Sequence, residues 1–416
     1  MLAGTWLSGC EVALFVLITA SVHAGMGSER RVSEVCAKCY LDGAPILVRI
    51  DQAGRIAAVE RPSGCPDILD LYVAPGLIDN QVNGYAGVSF AEDTLKVVDV
   101  RRATQALWKV GVTTYVPTLI TAPQQTLVHS LRTLAKAMRE PDIALSVRGF
   151  HLEGPYISPE DGYRGAHVRQ WVRAPNWEEF EELYRAADGK ILEISLAPEV
   201  PGGLDFAARC AQMGLVVALA HHNAPAEVIH KAADNGARLA THLGNGCANL
   251  IHRHDNPLWP QLADDRLMIS IIVDGFHLRA DAVRTFYKVK GPERTILVSD
   301  VIALAGLPPG QYEHGGRTLV VDPAGVVRYP EQNVLAGAAR PLSADVANMM
   351  RITGCSLADA IHMASRNPAR LLGFQDLGEI LPGKRADLIL FRLNEDGLEI
   401  EKTIIAGRVV YSRREE

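Results

Sequence analysis

VRGFHLEGP, residues 147–155, is an apolar, β-rich run that ends abruptly in a polar signature. Three other segments repeat this arrangement: AHHNA (220–224), THLGN (241–245) and VSD (298–300) each follow a run of the same kind. Parallel strands of a barrel carry the residues at their carboxyl ends to one rim. The pattern therefore predicts that side chains far apart in the chain meet at one site.

Eight apolar runs alternate with segments of helical periodicity from residue 68 onward. This alternation is typical of parallel strands with crossover helices, so it predicts the α/β class and a (β/α)8 TIM-like barrel; a doubly wound sheet is the alternative. The runs are 69–78, 113–119, 147–152, 191–197, 216–220, 238–242, 268–273 and 295–298. Helix candidates between them are 94–110, 124–139, 177–187 and 224–235.

The flanks of the chain show short strand patterns with Gly-containing turns and no helical period. We expect both chain ends to build one small β-sandwich domain, residues 27–74 plus 376–416, beside a barrel of residues 75–375. Residues 306–310 and the hairpin-like 313–329 form a predicted loop over the barrel mouth. Residues 1–26 are expected to be an extension that is disordered or precedes the true start.

The charge and hydropathy of the chain limit the kinds of molecule that it is expected to bind. The 416 residues carry a formal charge of -6 and their 42 Lys and Arg are scattered, which argues against a nucleic-acid partner. The apolar segment 12–20 is too short to span a membrane and no Lys or Arg precedes it. We expect no membrane partner and a cytoplasmic location, with export as the alternative.

The seven cysteines are odd in number and widely scattered, which predicts reduced thiols rather than a disulfide scaffold. Cys36 and Cys39 form a CxxC pair that could bind a metal with Cys65, although no second pair supports such a site. The simpler interpretation is two neighbouring thiols on an edge strand.

The residues that end the apolar runs suggest a metal centre. One carboxylate, Glu153, and two imidazoles, His221 and His242, leave room for water on a tetrahedral ion. Asp300 ends the last run and would take a proton from the activated water and return it to a leaving nitrogen. His222 is not expected to be a ligand, because adjacent strand positions face opposite ways.

These motifs resemble the N-acetylglucosamine-6-phosphate deacetylase family of the amidohydrolase superfamily, from about residue 73 to residue 411. HLEGP, AHHNA, THLGN and VSD are similar to four family elements, and GKRADL (383–388) is similar to the superfamily's strand-domain signature. The resemblance implies that Glu153, His221 and His242 bind the metal and that Asp300 moves the proton. It also implies a small amino sugar phosphate as the substrate.

Substrate contacts and a homodimer follow from the same resemblance. Arg253 occupies the position of a phosphate-binding arginine that family members supply from a neighbouring subunit, and its planar guanidinium suits that task. The other implied contacts are Ala166, His167, Asn245, Gly246, Asp274, Gly275, Phe276, His277, Leu335, Ala336 and Gly337.

Several positions depart from the family pattern. Gln81 and Asn83 stand where many superfamily members have a His-x-His pair, which favours a single ion, Zn²⁺ first with Fe²⁺ or Mn²⁺ as alternatives. Gly244, Gly246 and Cys247 replace the usual aromatic, Ala and Met, and Ala338 replaces a common Ser. These changes predict a remodelled sugar pocket.

Two other functions remain compatible with the sequence. One is a different amidohydrolase, acting on cyclic ureides or N-acyl amino acids, although such relatives generally resemble two-metal sites. The other is a non-catalytic sugar-binding barrel, in which damage to a ligand or to Asp300 would be expected. No such damage is present in the sequence.

Overall fold

The computed structural model describes residues 31–63, 65, 70–314, 317–329, 334–394 and 397–413. The expected extension, residues 1–26, lies outside these residues. No helix in the described ranges combines the length and apolar character that crossing a bilayer requires.

The strands are β1 (Glu34–Cys39), β2 (Pro45–Ile50), β3 (Ile56–Glu60), β4 (Tyr72–Pro75), β5 (Leu77–Val82), β6 (Gly84–Tyr85), β7 (Val88–Ser89), β8 (Val112–Ile120), β9 (Phe150–Glu153), β10 (Ile191–Leu196), β11 (Val216–Leu219), β12 (Ala237–Ala240), β13 (Met268–Ile271), β14 (Thr295–Leu297), β15 (Gly310–His314), β16 (Arg317–Val321), β17 (Val326–Tyr329), β18 (Val334–Ala338), β19 (Leu388–Asn394), β20 (Gly397–Ile405) and β21 (Arg408–Ser412).

The helices are α1 (Val97–Lys109), α2 (Gln124–Ala137), α3 (Trp177–Ala186), α4 (Gly203–Gln212), α5 (Ala226–Asp234), α6 (Leu258–Ala263), α7 (Ala280–Lys290), α8 (Leu342–Thr353), α9 (Leu357–Met363) and α10 (Arg366–Leu371). Short 3₁₀ turns occupy Ile143–Leu145 and Arg169–Trp171.

Eight parallel strands form the barrel, in the order β14-β13-β12-β11-β10-β9-β8-β5. A parallel bridge between Val82 and Val301 joins the two ends of this sheet, and the amide of Asp300 donates to the carbonyl of Gln81 at 3.1 Å. The first and last barrel strands therefore meet at a seam beside the predicted catalytic residue. The predicted fold class is confirmed.

The barrel strands read as continuous apolar runs because both of their faces are buried. All four residues of β9 are buried, and so are eight of the nine residues of β8. Helices such as α1 bury one apolar stripe. In α1 the buried residues Val100, Ala103, Thr104 and Leu107 recur at helical spacing.

The first predicted run, 69–78, is divided between two sheets in the structure. β4 joins the chain-end sheet, and β5 begins the barrel only at Leu77. Gly76 lies at the crossing, where a Cβ atom would come within 2.1 Å of the Thr113 Oγ1 atom. Only glycine allows this close approach, and an apolar pattern alone does not reveal the division.

Both chain ends contribute to one seven-stranded sheet, in the order β21-β20-β19-β4-β1-β2-β3. The Arg148 guanidinium ties the barrel to the segment that leads into this sheet, through two hydrogen bonds to the Asp376 carboxylate at 2.7 and 2.8 Å. The loop predicted over the barrel mouth is a four-stranded antiparallel sheet, β15 to β18. Its last strand contacts the end of the barrel, where Val301 bridges to Ala338.

The expectation of reduced cysteines was wrong for one pair, because Cys36 and Cys65 form a disulfide. This pairing also removes the two thiols from any metal site with Cys39, which is free and buried. β1 lies between β4 and β2 rather than at an edge. The pairing depends on which chain segments meet in space, and cysteine spacing alone cannot show that.

We expect Cys36→Ser to lower the free energy of unfolding by about 2–4 kcal/mol, because the disulfide joins cysteines that are 29 residues apart and so restricts the unfolded chain. Chemical denaturation under oxidising conditions measures the effect. Cys210→Ser, which removes a buried free thiol, is the control for loss of a sulfur atom without loss of a closed loop.

Cytosolic thiols are normally kept reduced, and a disulfide is therefore uncommon in a cytoplasmic protein. The cytoplasmic location stays a prediction. The protein can be isolated from the compartment in which it is found and its amino terminus mapped. Its free thiols are then counted, which tests both the location and the disulfide between Cys36 and Cys65. Blocking the thiols of the unfolded protein before and after reduction gives the two counts that matter. A difference of two indicates the bridge between Cys36 and Cys65, whereas equal counts would contradict the disulfide in that compartment.

Candidate active site

Four side chains reach the barrel mouth from the carboxyl ends of different strands. Glu153 is the last residue of β9, whereas His221, His242 and Asp300 each follow their strand by two or three residues. These last three have positive φ angles of 50°, 31° and 50°. Non-glycine residues rarely adopt such backbone angles, and they concentrate at functional sites where the surrounding structure holds them.

The three predicted metal ligands meet. The Nε2 atom of His242 lies 2.9 Å from the Oε1 atom of Glu153 and 3.1 Å from the Nε2 atom of His221. The Nε2 atom of His221 lies 3.5 Å from the same Glu153 oxygen. Ligand atoms on a tetrahedral zinc, with bonds of about 2.0–2.1 Å, are separated by roughly 3.3 Å. The donor set therefore fits a divalent metal ion.

The orientation of His221 supports this fit. Its Nδ1 atom lies 3.0 Å from the carbonyl oxygen of Tyr163. A carbonyl oxygen can only accept, so Nδ1 carries the proton and Nε2 presents a lone pair to the other two ligands. The Nδ1 atom of His242 is buried without a hydrogen-bond partner among the described residues.

Electrostatics couple the carboxylate to the two imidazoles. Burial would raise the pKa of Glu153, but the contacts of its carboxylate with the His221 and His242 rings hold that pKa well below its usual value. Burial would lower the pKa of His242, whereas the hydrogen bond to Glu153 and the negative charge of that carboxylate raise it. The site therefore favours a negative carboxylate surrounded by positive charge, which a bound cation also supplies.

Gln81 and Asn83 approach the site from β5 and the turn after it. The Gln81 amide donates to the Oε1 atom of Glu153 at 2.8 Å, and the Asn83 amide donates to the Oδ1 atom of Asp300 at 2.6 Å. Both groups thus orient a carboxylate. Burial raises the pKa of Asp300, and the negative charge of Glu153 adds to this effect.

His167 lies against the predicted metal ligands, and its ring centroid is 4.4 Å from that of His221. Its Nδ1 atom is 2.7 Å from the Thr121 hydroxyl and accepts the Thr121 amide proton at 3.4 Å. Burial lowers the pKa of His167 to about 3. The ring is therefore neutral near pH 7 and carries its proton on Nε2, as a hydrogen-bond donor.

Asp274 holds the residues that follow β13. Its Oδ1 atom accepts the backbone amides of Phe276 and His277, and its Oδ2 atom lies 2.7 Å from the Nδ1 atom of His277. Gly275 and Phe276 are exposed at this turn. The His277 ring is thus fixed in direction, and its charge lowers the pKa of Asp300, which places the two residues in one electrostatic environment.

The remaining predicted contacts lie on the loops around the mouth. Asn245 caps the turn after His242, since its amide and side chain both donate to the His242 carbonyl. Ala166 is exposed beside His167, and residues 335–337 belong to β18 of the mouth sheet. Arg253 is exposed on the loop before α6, where its carbonyl accepts from the Trp259 indole at 3.0 Å.

Gly246 packs directly against the ligand pair. A Cβ atom at this position would lie 2.9 Å from the His221 amide nitrogen and 3.2 Å from the His242 Cε1 atom. Neither neighbour is the free end of a flexible side chain. Glycine at this position therefore lets the loop approach the predicted ligands closely.

We expect Gly246→Ala to release bound metal about tenfold faster, because outer contacts of metal ligands are worth 10–100-fold in affinity. Timed transfer of the metal to a chelator measures the rate. Gly310→Ala is the control, since a Cβ atom there meets nothing closer than 3.6 Å. Equal release rates for both variants and the parent would show that the loop relaxes freely.

Several residues that shape the site are not predicted by the sequence pattern. Gln81 stands out only as a departure, and the pattern does not show that its amide binds Glu153. It also gives no sign of the contacts of Thr121 with His167 or of the Tyr163 carbonyl with His221. Glu193, a carboxylate inside the apolar run of β10, is likewise not among the predicted site residues. An acidic residue within such a run is the signal that could have drawn attention.

Comparison with known proteins places this geometry in a family. The family model for the amidohydrolases, which are metal-dependent enzymes, matches residues 72–410. An N-acetylgalactosamine-6-phosphate deacetylase of Escherichia coli O157:H7 is 33% identical over 358 residues, covering 86% of this chain and 92% of the relative. An N-acetylglucosamine-6-phosphate deacetylase of Vibrio furnissii is 31% identical over 379 residues, covering 88% and 90%.

Solved structures agree with these relatives. The N-acetyl-D-glucosamine-6-phosphate deacetylase from Mycobacterium smegmatis, solved as a mutant in complex with N-acetyl-D-glucosamine-6-phosphate, superposes with a TM-score of 0.81 at 28% identity and covers 91% of this chain and 100% of that one. The Thermotoga maritima enzyme gives 0.79 at 31% identity, with 92% and 99% covered. The chain therefore belongs to the amidohydrolase family and, within it, to the family of the N-acetylglucosamine-6-phosphate deacetylases.

Proposed function

We propose that the protein hydrolyses the acetamido group of N-acetylglucosamine-6-phosphate to give glucosamine-6-phosphate and acetate. The observation that carries this proposal is the meeting of Glu153, His221 and His242 at the mouth of a barrel whose seam carries Asp300. Relatives named for this reaction match most of the chain.

The metal site is proposed to hold one ion, Zn²⁺ first, with Fe²⁺ or Mn²⁺ as alternatives. A divalent ion there supplies Lewis acidity, which activates water and polarises a carbonyl. Gln81 and Asn83 support a single ion, because each directs an amide N–H at a site carboxylate. The positive end of an N–H group that points into the site repels a second cation. This argues against a two-metal site of the kind found in other amidohydrolases.

The side chains divide the reaction between them. Asp300, oriented by Asn83, accepts the proton of the attacking water and delivers it to the leaving nitrogen. Neutral His167 donates from Nε2 to the acetyl oxygen, with His277 as the alternative donor, and this bond strengthens as negative charge develops on that oxygen. This chemistry requires Asp300 and His167, and both are present in the chain. Their presence disfavours a non-catalytic sugar-binding barrel.

Arg253 is proposed to bind the 6-phosphate in the site of a second subunit. It is exposed on the loop between β12 and α6, close in sequence to the exposed apolar residues Leu250 and Trp259, which are 92% and 49% exposed. Exposed apolar groups next to a cation suit a contact between protein chains. A homodimer would thus complete each phosphate pocket.

Acetate release from N-acetylglucosamine-6-phosphate and from the unphosphorylated sugar tests the function. We expect a strong preference for the phosphate ester, and Arg253→Ala should raise KM for the ester about 10–100-fold, since a hydrogen bond to a charged group contributes about 1.5–3 kcal/mol. Arg132→Ala, an exposed arginine on α2, is the matched control. Equal rates on both sugars would contradict the phosphate assignment.

A second candidate substrate is the 4-epimer, N-acetylgalactosamine-6-phosphate. The E. coli relative named for that sugar is 33% identical to this chain, and Gly244, Gly246 and Cys247 alter the loop beside the ligands. The same acetate assay with both epimers ranks them by kcat/KM. A panel that includes N-acyl amino acids and cyclic ureides covers the remaining amidohydrolase alternatives.

A further inference from the structure

A buried layer of polar side chains lies inside the barrel next to the metal site. We call it the polar floor and define it as Asn80, His151, Glu193, Ser195 and Thr241. None of the five is more than 4% exposed. They come from β5, β9 and β10 and from the end of β12, so the layer crosses the barrel interior.

Glu193 occupies a central place in the polar floor. Its Oε2 atom accepts a hydrogen bond from the Asn80 amide at 3.1 Å, and its Oε1 atom lies 3.7 Å from the Nε2 atom of His151. That ring nitrogen is also 2.7 Å from the Ser195 hydroxyl, which in turn is 3.0 Å from the Thr241 hydroxyl. One continuous set of contacts therefore joins the five residues.

Each side of the polar floor leads to a residue of the metal site. Asn80 precedes Gln81, the amide of which holds Glu153, and Thr241 precedes His242. His151 lies two positions before Glu153 on β9, so both side chains point to the same face of that strand. Ser195 is the register partner of Glu153 on β10.

The polar floor is costly to bury. Glu193 is fully buried, its Oε1 atom has no hydrogen-bond partner, and in the described part of the chain its ion-pair contact is His151 alone. Apolar residues at such positions often give equal or greater stability. Folding alone therefore does not account for a carboxylate here, whereas fixing side-chain directions at a metal centre does.

We propose that Glu193 is a positioning residue for the metal centre: by holding Asn80 and His151, it fixes the strands that aim Gln81 and Glu153 and so slows release of the ion. The proposal rests on the proposed metal site but not on the identity of the substrate. If the parent protein retains no metal, the proposed function fails; a parent that retains metal makes the role of Glu193 testable by itself.

Metal release to a chelator provides the test, measured together with the melting temperature of the metal-free protein. Glu193→Leu removes the hydrogen bond and should release metal at least about tenfold faster. Glu193→Gln keeps an acceptor for Asn80 and should stay within about threefold of the parent. If Glu193→Leu does not fold, Asn80→Ala, which removes the donor, takes its place with the same expectation.

Asn367→Ala is the matched control. Asn367 is fully buried and donates to the carbonyls of Pro292 and Thr295 at the other end of the barrel. It should lower the melting temperature without changing metal release. Unchanged release in Glu193→Leu, equally fast release in Glu193→Gln, or fast release in the control as well would each overturn the proposal.

Discussion

Asp300→Asn is expected to lower kcat for acetate release by about 10²–10⁴, the usual contribution of a positioned proton-transfer group. The amide has nearly the same shape and can still contact Asn83, but it cannot take up the proton of the attacking water. Metal content should equal that of the parent, because Asp300 is outside the Glu153, His221 and His242 group. Steady-state kinetics and elemental analysis on one preparation measure both quantities.

The control for Asp300→Asn is Asp281→Asn, which neutralises an exposed carboxylate in the first turn of α7 and should leave kcat unchanged. Asn83→Ala should have an intermediate effect, since it removes the 2.6 Å hydrogen bond that orients Asp300 but keeps the carboxylate. Parental kcat in Asp300→Asn would exclude this residue as the proton carrier.

His221→Ala should lower metal affinity by well over 100-fold, since even the outer partners of ligands are worth 10–100-fold. Activity should fall to background as the metal is lost. Metal per chain after dialysis against a chelator, followed by acetate release with added Zn²⁺, checks both expectations.

The neighbouring histidine provides a matched control in the same loop. His222 is buried and its Nδ1 atom accepts the Ala224 amide at 3.2 Å, while burial lowers its pKa to about 4. His222→Ala also removes a buried imidazole but should retain metal within about threefold of the parent. Loss of metal from both variants would mean that the loop, rather than the His221 ring, sets affinity.

The sequence predicts the site residues at the ends of the barrel strands better than it predicts the side chains that contact them. Glu153, His221, His242 and Asp300 are identifiable because each lies at or just after the end of an apolar run, and parallel strands end at one rim. Which residues of a fully buried strand face the barrel interior is not visible in such a run, because both faces are apolar. The contacts of Gln81 with Glu153 and of Asn80 with Glu193 depend on that choice.

Other features depend on close approach in three dimensions. The division of residues 69–78 at Gly76 and the bond between Cys36 and Cys65 both arise where separate segments meet. Neither leaves a periodic pattern. The positive φ angles of the site residues belong to the same group, because the surrounding packing holds them.

The seam between Gln81 and Asp300 has a consequence for protein synthesis. A ribosome adds the three proposed metal ligands before it reaches residue 300, so a nascent chain that stops between residues 242 and 300 carries them without the proposed proton carrier. The carboxylate takes its place only when the final strand docks beside the first. The proposed active site is therefore incomplete until the seam between these two strands has formed.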